Sequence, residues 1–137
     1  MTNKVALKEF EKEIIQLLAK GKIADQLIDE ICNSLDGGEY EFSGAGYFLN
    51  IQHPNLPIDR IVCDTPFLNG HANGIDTGYI LFIQDQELLF ECYDFMGDFP
   101  KEYREWDVKV SITSENQSNK PKPNLRRTIC SFFKLNF

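Results

Sequence analysis

The sequence predicts an α+β fold, with two N-terminal helices packed on one face of an antiparallel sheet of about four to five strands. Three observations carry this. Apolar residues recur every three to four positions as far as Leu35. From Glu39 the period falls to two. One stretch, "GYILFIQDQELLFECY", sets two apolar runs on either side of a short polar centre. At 137 residues the chain has the length of one domain and can bury one core.

The first helix is expected over Val5 to Lys20. Val5, Ala6, Leu7, Phe10, Ile14, Leu17 and Leu18 share a face, and Glu9, Lys12, Glu13 and Gln16 lie largely off it. Gly21 is a plausible stop. Ile23, Ala24, Leu27, Ile28, Ile31, Cys32 and Leu35 repeat the pattern, which Asp36-Gly37-Gly38 ends. "YEFSGAGYFLNIQ" reads as one strand, "HPNLP" breaks it, and "RIVC" is a short strand. "VCDTPFLNGHANGIDTG" reads as a connector, with His71 exposed.

In the main hairpin, with Asp85-Gln86 as the turn, the expected pairs run from Gln84/Glu87 to Tyr79/Cys92. One face is then apolar: Tyr79, Leu81, Ile83, Leu88, Phe90 and Cys92. The other, with Ile80, Phe82, Gln84, Glu87, Leu89, Glu91 and Tyr93, is mixed, so a single buried face is expected. Pro100 opens a short helix and "WDVKVSI" is the last strand. Residues 1–113 form the expected domain. Residues 114–137 are a polar linker followed by a basic, aromatic tail.

The net charge of −7 is unevenly spread. Asp36 to Asp107 holds fourteen acids and three bases, a balance of −11, while the stretch from Ser114 holds five bases and one acid. A nucleic-acid binder needs a basic footprint, and the expected domain has the reverse. No apolar run approaches the ~20 residues of a membrane span. The N-terminal stretch lacks a signal-peptide layout, so a cytoplasmic location is expected. There the four widely spaced Cys, with no C-x-x-C pair, are expected to be reduced and mostly buried.

The candidate chemistry is sparse. Cys63, Asp64, His71 and Asp76, with His53, are ligand types, but they are single rather than paired, and no metal or cofactor is expected. The Gly-rich stretches match no phosphate motif, and no Lys or Arg stands between Arg60 and Lys101. A small hydrolase or ligand-binding domain using Cys63, Asp64 and His71 is the alternative function. The preferred reading is non-catalytic. Asp85, Glu87, Glu91, Tyr93, Asp94, Asp98, Glu102 and Glu105 set carboxylates and aromatics together in and after the hairpin. Apolar anchors inside an acidic rim suit a basic protein partner.

"GYFLNIQHPNLPIDRIVCDTP", "GYILFIQDQELLFECYDF" and "EYREWDVKV" resemble a set of small bacterial single-domain α+β proteins of unassigned function. The resemblance covers residues 46 to 110 and carries over no catalytic residue. In size and charge alone, the chain is also similar to immunity proteins that neutralise secreted bacterial toxins. These are small, cytoplasmic and often acidic, because many of their targets are basic nucleases. The likeness implies an immunity protein that neutralises a basic toxin domain through an acidic sheet face.

Overall fold

The computed structural model describes residues 3–96 and 98–113; the linker and basic tail expected over 114–137 lie outside the described residues. In chain order the elements are β1 (Asn3–Val5), α1 (Glu9–Ala19), α2 (Asp25–Asn33), β2 (Gly38–Phe42), β3 (Gly46–Gln52) and β4 (Ile61–Cys63). They continue with β5 (Leu68–Ala72), β6 (Ile75–Gln84), β7 (Glu87–Asp94), a 3₁₀ turn (Tyr103–Glu105) and β8 (Lys109–Ile112). The strands form a single antiparallel sheet in the order β1-β2-β3-β7-β6-β5-β8, with β4 also paired to β6. The fold is α+β as expected, but among the described residues the sheet has eight strands, not four to five.

Each additional strand has a local cause. The first helix begins at Glu9 rather than Val5, because the Glu11 carboxylate accepts a hydrogen bond from Lys8 N at 2.8 Å and so caps that end. Asn3–Val5 is thereby left to pair with β2 at the sheet edge. "YEFSGAGYFLNIQ" is two strands, not one; it reverses at Gly44, whose φ of +88° a side chain would oppose. The expected connector "VCDTPFLNGHANGIDTG" also pairs: β5 and the start of β6 form a hairpin turning on Asn73 (φ 49°) and Gly74 (φ 82°).

The main hairpin agrees pair for pair with its expected register, from Gln84↔Glu87 to Tyr79↔Cys92, and extends to Thr77↔Asp94. Its apolar face meets the two helices. Ile14, Ile15 and Leu18 of α1 and Leu27, Ile28 and Ile31 of α2 share one core with Tyr47, Leu49, Leu81, Ile83, Leu88 and Phe90. Cys32, Cys63 and Cys92 are buried, as expected, and are in no disulfide; Cys130 lies outside the described residues.

A buried ion pair ties the two ends of the described chain across this core. Glu11, fully buried, accepts hydrogen bonds from Arg104 Nε (2.7 Å) and Nη2 (2.8 Å) and from the Tyr47 hydroxyl (2.6 Å). Arg104 Nη2 also donates to Ala6 O at 2.8 Å. Nothing in the helical periodicity marks Glu11 for the interior. It enters because a guanidinium and a phenol complete its hydrogen bonding there.

The mixed face of the hairpin is not half-solvated as expected. Phe48, Ile80, Phe82, Leu89 and Tyr93 form a second buried cluster on it, with Phe95 packed alongside. The Tyr93 ring lies over Gly78, where any Cβ would meet it.

Candidate functional site

The eight acidic and aromatic residues expected to form one surface are divided among three places. Glu87, Glu91 and Tyr93 point from β7 to the face away from the helices, in register with Gln84, Ile80 and Gly78. Asp94 has the opposite parity: its Oδ1 accepts from Met96 N at 2.8 Å, and the residue is buried. Asp98, Glu102 and Glu105 are exposed beyond β7, and Glu105 pairs with Lys8 at 3.2 Å beside α1.

Glu91 and Tyr93 are therefore interior groups rather than contact residues. Glu91 is 4 % exposed, and burial alone pushes its carboxyl up to about 8. Its cross-strand neighbours are Phe48 and Ile80, so the charged form has lost its water and gained no cation among these partners. Burial also raises the Tyr93 hydroxyl, with the nearby Glu91 adding to it.

Asp85, which is exposed, and Glu87, which is half-buried, sit at the tip of the main hairpin. Asp85 (φ 54°) and Gln86 (φ 64°) both adopt the left-handed conformation of a type I′ turn, where Asn-Gly is the usual pair. A second loop braces this strained tip. Asp85 N donates to Ile58 O and Gln86 N to Pro57 O, each at 3.0 Å, and Gln86 Nε2 donates to Pro54 O at 2.8 Å. His53 N donates to Gln86 O at 3.3 Å, and His53 Nε2 meets Glu30 of α2 at 3.1 Å. Glu87 accepts from Asn50 Nδ2 at 2.9 Å, which fixes its carboxylate.

The result is a hydrogen-bonded acidic corner. Asp59, Asp85 and Glu30 are exposed, Glu87 is half-buried, and Ile58, whose carbonyl accepts from Asp85 N, is 66 % exposed. Gln52, His53, Pro54, Asp85, Gln86 and Glu87 line a shallow groove of about 370 Å³ there. Between Lys22 and Lys101 the chain has one Lys or Arg, Arg60, which adjoins Asp59. The groove between α1 and the 3₁₀ turn is larger, about 560 Å³, but Lys8–Glu105 and Lys12–Glu9 pairs, each 3.2 Å, offset its charges.

Strain at the tip makes a measurable statement. Replacing Asp85 with Gly, which keeps the Gln86 bond to Pro54 O, should raise stability by about 0.5–1 kcal/mol, because the left-handed conformation then carries less strain. A urea midpoint at or below the wild-type value would show that the brace, not the backbone, dominates.

The alternative constellation is separated. Cys63 pairs with Leu81 and faces the helices, where burial pushes its thiol up to about 11. His71 pairs with Asp76 on the opposite side of the sheet; it is exposed and meets the Asp76 carboxylate at 2.8 Å. Among the described residues no group of three or more His, Cys, Asp and Glu could hold a metal ion. The sequence offered a signal for the hairpin tip in Asp85 itself, but not for its brace, which comes from residues 53–58. No protein family, curated protein or solved structure matches this chain.

Proposed function

We propose that this chain is a non-catalytic protein-binding module whose acidic corner engages a basic protein; in its most specific form, it is an immunity protein that neutralises a basic toxin. The observation that carries this reading is the braced tip: Asp85 and Gln86 hold a costly left-handed backbone against the loop that carries exposed Ile58, with Asp59 and Glu87 next in sequence. Strain retained at a surface turn, with its geometry fixed by a neighbouring loop, suits a pre-organised contact. The charge of the chain supports the same partner chemistry. Residues 3–113 hold twenty acids and nine bases. Such a surface speeds the encounter with a basic partner and disfavours acidic ones.

The experiment is affinity capture at low salt with wild-type protein and with the triple variant Asp59→Asn, Asp85→Asn, Glu87→Gln. Each rim charge contributes roughly 0.5 kcal/mol, so the variant should bind a basic partner about tenfold more weakly. Its thermal midpoint should stay near wild type. Co-expression with the captured protein should relieve any growth inhibition that protein causes, and the variant should relieve it less. Equal recovery of the same basic protein by both forms would sink the assignment of the corner.

A further inference from the structure

The larger groove lies along the outer flank of α1. One wall is the helix itself, where Glu9, Lys12, Glu13 and Gln16 follow one another at helical spacing. The other wall is the segment from Glu105 to Val108, and Cys32 and Asn33 at the end of α2 complete the lining. Its volume of about 560 Å³ is in the range of small-ligand sites. It shares no lining residue with the groove at the hairpin tip, so a ligand here does not depend on the partner assigned there. We propose that this groove binds a short neutral saccharide.

The charges of the lining disfavour an ionic ligand. Its cations, Lys8, Lys12 and Arg104, each have a carboxylate already: Glu105 at 3.2 Å, Glu9 at 3.2 Å and Glu11 at 2.7 Å. An anion therefore meets no uncompensated base. Asp107 pairs with Lys109 at 3.1 Å. Among the described residues this leaves Glu13 as the lining carboxylate outside an ion pair. One exposed carboxylate holds a cation weakly in water.

What the groove does offer is hydrogen bonding of both senses beside an aromatic ring. Gln16 and Asn33 are exposed, and each amide presents N–H donors and a carbonyl acceptor. The ammonium groups of Lys8 and Lys12 keep donors beyond their ion pairs, and Glu13 accepts. Trp106 is half-buried on the other wall, its ring set at 57° to that of Tyr103 with centroids 5.7 Å apart. That packing fixes the indole. An indole face matches the C–H face of a pyranose, and its N–H adds a donor. Phe10, Cys32 and Val108 also line the groove and are buried, which makes an apolar floor. Each sugar hydroxyl both donates and accepts, so a saccharide can use the amides, the ammonium groups and the carboxylate together.

Trp106 is the single tryptophan of the chain, so its emission reads this groove directly. The full-length protein is titrated with maltose, lactose and chitobiose, and with inorganic phosphate and free arginine as ionic controls. At least one disaccharide should change the emission saturably, with amide shifts gathered in residues 8–16, 32–33 and 104–108. Phosphate and arginine should change neither at the same concentrations. Gln16→Ala with Asn33→Ala alters only exposed side chains, so it should keep the wild-type thermal midpoint. It should weaken disaccharide binding about tenfold, through the loss of hydrogen bonds from two amides. No saturable response to any of the three sugars would overturn the proposal, and so would amide shifts centred outside the groove. Saturation of the same residues by phosphate or arginine, or wild-type sugar affinity in the double variant, would overturn it equally.

Discussion

Arg104→Ala should destabilise the protein by about 3–5 kcal/mol, a large share of the stability of an ordinary domain. The size follows from what is left behind. Glu11 is wholly buried and accepts from Lys8 N, the Tyr47 hydroxyl and two nitrogens of Arg104. Removing the guanidinium strands a carboxylate in the core and also frees Ala6 O. The Tyr47 hydroxyl next to it is fully buried and cannot turn to water. Replacing both ionic partners, as in Glu11→Gln with Arg104→Met, should cost clearly less than Arg104→Ala, because no buried charge is then left unpaired. Urea unfolding of the three proteins decides this. A double variant less stable than Arg104→Ala would show that the pair contributes net attraction beyond its own desolvation.

Glu91→Gln should stabilise the protein, and the gain should depend on pH. The folded carboxyl titrates at about 8 against an ordinary 4.5. Below 4.5 it is protonated in both folded and unfolded chains and contributes no pH dependence. As pH rises through that window the unfolded chain ionises first, so wild-type stability falls, and the penalty is complete above 8. The displacement sets an upper bound of about 5 kcal/mol on the gain at high pH. A glutamine keeps the shape and removes the charge. The thermal midpoints of variant and wild type should nearly coincide at pH 4 and separate by several degrees at pH 8.5. Parallel curves at both pH values would mean that Glu91 is ionised and compensated in the folded protein.

Much of the fold is legible in the sequence because its signals are local. Ile14, Leu18, Ile28 and Ile31 repeat with a helical period, and both helices form there. The two apolar runs flank a single polar centre, so placing the turn at Asp85-Gln86 gives the hairpin register. The missing strands have weak local signals. Asn3–Val5 is three residues long, and Leu68–Ala72 reads "LNGHA", whose buried side holds one large apolar residue beside Gly70 and Ala72. Its Asn73-Gly74 turn was the available clue, and the strand it closes is polar enough to hide it.

The site was harder to read, for a different physical reason. Alternation says which residues share a face, but not whether that face is covered. Glu87 and Glu91 share a face as expected, yet Glu91 is interior and Glu87 is half-exposed at the tip. Glu11 and Arg104 are 93 positions apart, and their pairing is a property of the closed fold. The brace on Asp85 and Gln86 comes from Pro54, Pro57 and Ile58, which sequence alone marks only as a strand break.

The acidic corner is tested most directly by the salt dependence of complex formation. Dissociation constants for the captured basic partner should be measured from 50 to 500 mM salt, a range over which the screening length falls to a few ångströms. Wild type should weaken by at least tenfold across it, and the Asp59→Asn, Asp85→Asn, Glu87→Gln variant should show a clearly flatter dependence. Equal slopes for the two proteins would contradict the account, because the charges that steer the partner would then lie elsewhere.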